Sequence, residues 1–109
     1  MLLIACRDMA ADWAQFRGPN GTGIAEGFLL PDQMSNKEPV WQVPLPPGHS
    51  SPIVIGRRIY VTAFAGHALV TIGMDARSGK QLWRGEARGD RKEDLDKRNN
   101  PASPNPVAD

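Results

Sequence analysis

Short apolar runs with a two-residue alternation recur along the centre of the chain. They cover residues 52–55, 58–64, 69–74 and 81–84, where β-branched and aromatic residues are frequent. Gly or a polar turn separates each run from the next, which is typical of strands joined by tight turns. In the second run both alternating faces carry apolar side chains, which favours a strand buried on two sides. The pattern predicts an all-β fold, a four-stranded antiparallel meander.

Weaker signals precede these runs. Residues 40–45 are β-prone, but Pro44 has no N–H, so we predict a strand confined to a sheet edge. Residues 12–39 have no sustained apolar period and are rich in Gly, Asn and Pro, which predicts an irregular loop arm. Its candidate docking anchors are Trp13, Phe16 and Phe28.

The turn at 75–80 carries the most specific local chemistry. The Asp75 carboxylate and the Ser78 hydroxyl can accept hydrogen bonds from backbone N–H groups two or three residues on. Gly79 can take the left-handed conformation that returns the chain into the next strand. We therefore interpret Asp75 and Lys80 as structural residues of a hairpin, not as catalytic ones.

Two internal echoes indicate a repeat. Trp41 and Trp83 each lie in a short β-prone segment, and 42 residues separate them, within the ~40–50-residue period of four-stranded propeller blades. Segments 51–54 and 105–108 also resemble each other. These echoes predict one strand of a preceding unit, one complete unit and the start of the next. The predicted divisions are a signal remnant or unstructured start (1–11), the arm (12–39), an edge strand plus one blade (40–87), and a charged loop with a truncated next blade (88–109).

Composition narrows the functional classes. Lys and Arg total 13 and Asp and Glu total 12 in 109 residues, a net charge of +1. This balance argues against a nucleic-acid binder or a binder of anionic membranes. Leu, Ile, Val and Phe supply only 23 residues, so the chain alone has a thin core. No stretch approaches the ~20 apolar residues of a transmembrane span.

The hairpin and its flanks resemble a known family. Segment 74–83 is similar to the blade motif of pyrroloquinoline-quinone-like (PQQ-like) β-propeller repeats, with matches at Asp75, Ser78, Gly79, Lys80 and Trp83. Segment 12–23 is similar to the opening of secreted bacterial PQQ-like propeller proteins. The resemblance implies one four-stranded propeller blade after an irregular arm, with Trp83 packed between blades. Because Trp41 occupies the position in the repeat that corresponds to Trp83, we expect Trp41 to pack between blades as well.

Two functions compete within that superfamily. Propellers resembling the outer-membrane β-barrel assembly lipoprotein are non-catalytic protein-binding scaffolds, and this is the function we expect. The expected partners are the remaining blades and other envelope proteins. The alternative is part of a quinoprotein alcohol or sugar dehydrogenase, whose resemblance would imply PQQ and calcium. One cysteine cannot supply that family's vicinal disulfide, and no catalytic, cofactor-binding or metal-binding residue is assigned here. A third alternative is a stand-alone domain that oligomerises into a ring of blades.

The remaining candidates carry weaker chemistry. Residues 84–98 mix both charges and predict a solvated loop or an exposed helical turn near 94–99. A metal site is disfavoured there, because basic residues interleave its candidate ligands Asp90, Glu93, Asp94 and Asp96. His49 and His67 have no candidate acid nearby, so no catalytic triad is predicted. Residues 3–6 resemble the end of a lipoprotein signal with Cys6 as the acylated residue, and we expect a location in the periplasm or cell envelope.

Overall fold

Four antiparallel strands form one sheet in chain order, β1-β2-β3-β4. A computed structural model describes residues 12–26, 39–88, 98 and 100–108. The strands are β1 (Ile53–Ile55), β2 (Arg58–Ala65), β3 (Ala68–Asp75) and β4 (Gln81–Arg88), preceded by a short 3₁₀ turn (Pro19–Gly21). The all-β prediction is confirmed. The described residues include no helix that is long and apolar enough to cross a membrane.

The central hairpin, β2 and β3, holds the core. Residues in register across it, such as Val61 with Ile72 and Ala63 with Val70, share one face because side chains alternate along a strand. Ile72 and Val70 are each 1% exposed, and Met74 packs beside them. Burial of each such large side chain contributes ~1.5–3 kcal/mol. This cluster therefore lies on one face of the sheet, over its two middle strands, whereas Ile53, 2% exposed and in register with Tyr60, is buried on the other face.

The predicted edge strand at 40–45 is wrong. These residues form no strand and pair with no neighbour through a backbone ladder. The chain from 44 to 47 contains Pro44, Pro46 and Pro47, which cannot donate to a ladder. The segment is held instead by side chains, with Val43 packed against the core.

The residues just before β1 protect an edge of β2. β1 pairs only with the first three residues of β2. Beyond them, Phe64 donates its N–H to the Pro47 carbonyl oxygen at 2.7 Å. The Ser50 hydroxyl donates to the Thr62 carbonyl oxygen at 2.9 Å and accepts from the Thr62 N–H at 3.1 Å. This part of β2 is therefore satisfied without a regular partner strand.

The arm reaches the other side of β1. Trp13 exchanges both backbone hydrogen bonds with Val54, at 2.7 and 2.9 Å. Trp13 thus contacts β1 through its backbone, while its ring lies against Gly18 of the arm, and Phe16 is 57% exposed. The carbonyl oxygen of Ala14 accepts a hydrogen bond from the N–H of Ala108. The segment 105–108, which resembles 51–54 in sequence, therefore also contacts the arm.

Several sequence predictions lie outside the described residues. They concern Phe28 as an anchor, Cys6 as a lipidation site, the helical turn near 94–99 and the acidic residues Asp90, Glu93, Asp94 and Asp96.

Candidate interaction site

The β3–β4 turn is organised around one carboxylate oxygen. Asp75 Oδ1 accepts hydrogen bonds from the N–H groups of Arg77 and Ser78, both at 2.9 Å. It also accepts from the Ser78 hydroxyl at 3.1 Å. The Ser78 oxygen in turn accepts from the Lys80 N–H at 3.2 Å. Two short polar side chains therefore satisfy the backbone donors that the reversal leaves without a ladder partner.

The backbone closes the same turn. The Gly79 N–H donates to the Asp75 carbonyl oxygen at 2.8 Å, and the Asp75 N–H donates to the Lys80 carbonyl oxygen at 2.9 Å. Gly79 has φ +70°, the left-handed region that residues with a Cβ rarely adopt. Lys80 itself contributes backbone groups here, and its side chain is exposed.

The hydrogen bonds to Asp75 favour its charged form. The backbone N–H of Ser78 has the largest effect and lowers the pKa of the Asp75 carboxyl below its ordinary value of 3.8. Desolvation is the second-largest effect and opposes it by raising the pKa, whereas the Ser78 hydroxyl, the Arg77 N–H and the Arg57 guanidinium lower the pKa further. Arg57 Nη2 lies 3.7 Å from Asp75 Oδ2, which links this turn to the β1–β2 turn.

Trp41 docks on the outside of the turn. Its indole N–H donates to the Ala76 carbonyl oxygen at 2.9 Å. Its ring lies against Gly79 so closely that a Cβ there would fall 2.6 Å from the ring. The structure thus places Trp41 against the turn that Asp75 and Ser78 stabilise, with its contacts at Ala76 and Gly79. Sequence reasoning placed Trp41 in a strand and missed this contact, for which the sequence holds no local signal.

Trp83 lies elsewhere, on the sheet face opposite the core. It faces Gly73 across the β3–β4 ladder, and Gly73 faces Tyr60. Because Gly73 has no side chain, the Tyr60 ring packs over it, at 3.0 Å from where a Cβ would stand. The Trp83 ring likewise covers Gly85. Even so, Trp83 is 53% exposed.

A shallow apolar groove adjoins Trp83. It encloses ≈ 390 Å³ between strands β2 to β4 and residues 101–104. Leu69, 42% exposed, stands at its side. The segment is tied to the sheet where the Thr62 hydroxyl donates to the Pro104 carbonyl oxygen at 2.7 Å. The groove and the Trp83 ring form a partly open apolar surface.

No reactive constellation accompanies that surface in the described residues. His49 uses its backbone N–H to bond the Ala102 carbonyl oxygen, and His67 is exposed in the β2–β3 turn. Across the described ranges no three His, Cys, Asp or Glu side chains lie close enough together to hold a metal ion. No family model, curated protein or solved structure matches this chain.

Proposed function

We propose that residues 40–87 contain one blade of an extracytoplasmic PQQ-like β-propeller repeat protein that serves as a non-catalytic scaffold or protein-binding module. The observation that supports this most directly is a four-stranded antiparallel meander that keeps Trp83 53% exposed on the face opposite its core. A blade needs such a face, because neighbouring blades cover it.

The exposed apolar residues support the same proposal. Leu69, Leu82 and Trp83 are 42%, 52% and 53% exposed on or beside the last two strands. Large apolar side chains grouped on one surface mark an interaction site more often than a solvent surface. A neighbouring sheet that covered Trp83 would gain the large apolar contact area of an indole ring.

The turn supports it independently. Asp75, Ser78 and Gly79 match the repeat motif and make the hydrogen bonds that a tight strand reversal requires. These hydrogen bonds and the neighbouring Arg57 engage the Asp75 carboxylate within the turn. The proposed role of this segment is therefore architectural, and the proposed partners are further blades and envelope proteins.

The complete reading frame and ligand titration test the proposal. We expect the frame to encode more copies of the Asp-x-x-Thr/Ser-Gly-Lys-x-x-Trp motif. Titration of its product with PQQ and calcium should change neither absorbance nor thermal stability. Saturable PQQ binding would overturn the non-catalytic role and favour the quinoprotein dehydrogenase. A frame without further repeats, combined with a monomeric product in light scattering, would contradict the blade itself.

Footprinting measures the covered face directly. Hydroxyl-radical oxidation of Trp83 should be lower in the complete protein than in the chain of residues 1–109. Phe16, 57% exposed on the arm, is the internal control and should react equally in both. Equal oxidation of Trp83 in the two proteins would show that no blade covers it.

A further inference from the structure

The outer edge of β4 has a defined hydrogen-bonding polarity. Asp75 donates its N–H to Lys80, so its backbone faces the β4 side of β3. Thr71 faces β4 as well, because its β2 partner Thr62 directs both its N–H and its C=O to Ser50, away from β3, and the register shift opposite Gly73 and Met74 does not alter this. The register partner of Thr71 in β4 is Gly85. The backbone groups of Gly85 therefore point inward, towards β3.

The residues that flank Gly85 point the other way. The N–H and C=O groups of Arg84 and Glu86 face outward, past the last strand of the sheet. Within the described part of the chain no strand pairs with this edge. An edge of free donors and acceptors is a template for another strand.

We propose that two copies of this chain pair through β4, antiparallel, with the two-fold axis between their Gly85 residues. The two sheets then continue into one another. In this register Arg84 lies opposite Glu86 of the second copy, and Glu86 lies opposite its Arg84. Both positions are hydrogen-bonded pairs, since their backbone groups are the outward ones.

The side chains complement each other in that register. Arg84 and Glu86 share one face of β4 and form an ion pair at 2.9 Å, with side chains 38% and 44% exposed. Pairing would bring together Arg84 and Glu86 of both copies. Each carboxylate would then lie between two guanidinium groups, one from its own chain and one from the second copy. Opposite charges directly across an antiparallel pair are stabilising.

Other registers are disfavoured by the same residues. A shift by one residue sets outward backbone groups against inward ones, and no ladder forms. A shift by two residues places either Arg84 opposite Arg84 or Glu86 opposite Glu86, and like charges repel. On the other face the proposed register sets Trp83 opposite Ala87 of the second copy, which is small enough to admit the ring.

The pairing extends the sheet in its own plane. It leaves both faces of the sheet free, so it does not depend on the proposed packing of blades. It also predicts a dimer, whereas a ring of blades would contain more copies.

Charge reversal tests the dimer. Sedimentation velocity over a concentration series of the whole chain should show a reversible dimer. R84E and E86R should each weaken dimerisation by at least about tenfold, because two opposite-charge pairs become like-charge pairs. R77E and E26R are matched controls that make the same changes of net charge at exposed positions away from the β4 edge, and they should dimerise like the unmodified chain.

Recombining the charges tests the register. An equimolar mixture of R84E and E86R should form a heterodimer, and the double variant R84E/E86R should recover the homodimer. Amide exchange should slow at Arg84 and Glu86 as concentration rises, while Gly85 stays protected throughout. A chain that remains monomeric at millimolar concentration, or a dimer that neither reversal weakens, would overturn the proposal.

Discussion

Trp41 donates its indole N–H to the carbonyl oxygen of Ala76 at 2.9 Å, across 35 residues of sequence. Through this bond a segment without any strand pairing is fixed to the turn between β3 and β4. The indole ring also occupies the space that a side chain at Gly79 would need. The glycine of the turn therefore has two functions, to reverse the chain and to receive the ring.

Substitution of that glycine should cost more than backbone strain alone. Gly79→Ala places a Cβ at φ +70° and 2.6 Å from the Trp41 ring. We expect a loss of ~1–2 kcal/mol for the left-handed backbone and a further ~1–3 kcal/mol for displacement of the ring. Urea denaturation of Gly79→Ala measures the sum of these two losses in the free energy of unfolding.

Gly66→Ala is the matched control for this substitution. Gly66 has φ +64°, but nothing lies within 4 Å of its missing Cβ. It should lose only the backbone contribution of ~1–2 kcal/mol. Equal losses at the two glycines would contradict the packing of Trp41 on Gly79.

The hydroxyl group of Ser78 should contribute more to the stability of the chain than the size of its side chain does. Ser78→Ala removes the hydrogen bonds to Asp75 Oδ1 and from the Lys80 N–H. Because the site is exposed, we expect a loss of only about 0.5–1 kcal/mol in urea denaturation. Ser78→Thr keeps the hydroxyl and should retain most of the stability. If Thr were as destabilising as Ala, the hydroxyl would not be the stabilising group.

Acid should loosen the turn through Asp75. The pKa of this carboxyl is lower in the folded chain than its ordinary value of 3.8. The unfolded state then binds the proton more tightly, so the stabilisation is present above pH 3.8 and is lost as pH falls through the lower folded value.

Comparison with an uncharged variant isolates that effect. Urea midpoints of the unmodified chain should fall with pH below 3.8 more steeply than those of Asp75→Asn. Glu26→Gln removes an exposed carboxylate and serves as the control. Parallel profiles for the Asp75 variant and the unmodified chain would exclude this source of acid sensitivity.

The parts of the fold that follow from local signals were predictable. The alternation in 58–64 and 69–74 specifies strands, and the Asp75-to-Gly79 spacing specifies the reversal between β3 and β4. Trp41 was not predictable, because its partner is the carbonyl oxygen of a residue 35 positions away, and a backbone carbonyl leaves no mark in the sequence. For the same reason the hydrogen bonds of residues 47–50 to the edge of β2 could not be read from their composition.

Trp83 supplies the test that separates an exposed aromatic from an interface residue. It is 53% exposed in the chain described here, so its truncation should remove only part of the stability that a buried indole contributes. Truncation of a fully buried Trp costs ~3–5 kcal/mol. If neighbouring blades cover Trp83, Trp83→Ala should cost that amount in the complete protein and at most about half of it in residues 1–109. Phe16→Ala, on the arm, should cost the same in both. A loss below about 1 kcal/mol in the complete protein would exclude Trp83 from any buried interface.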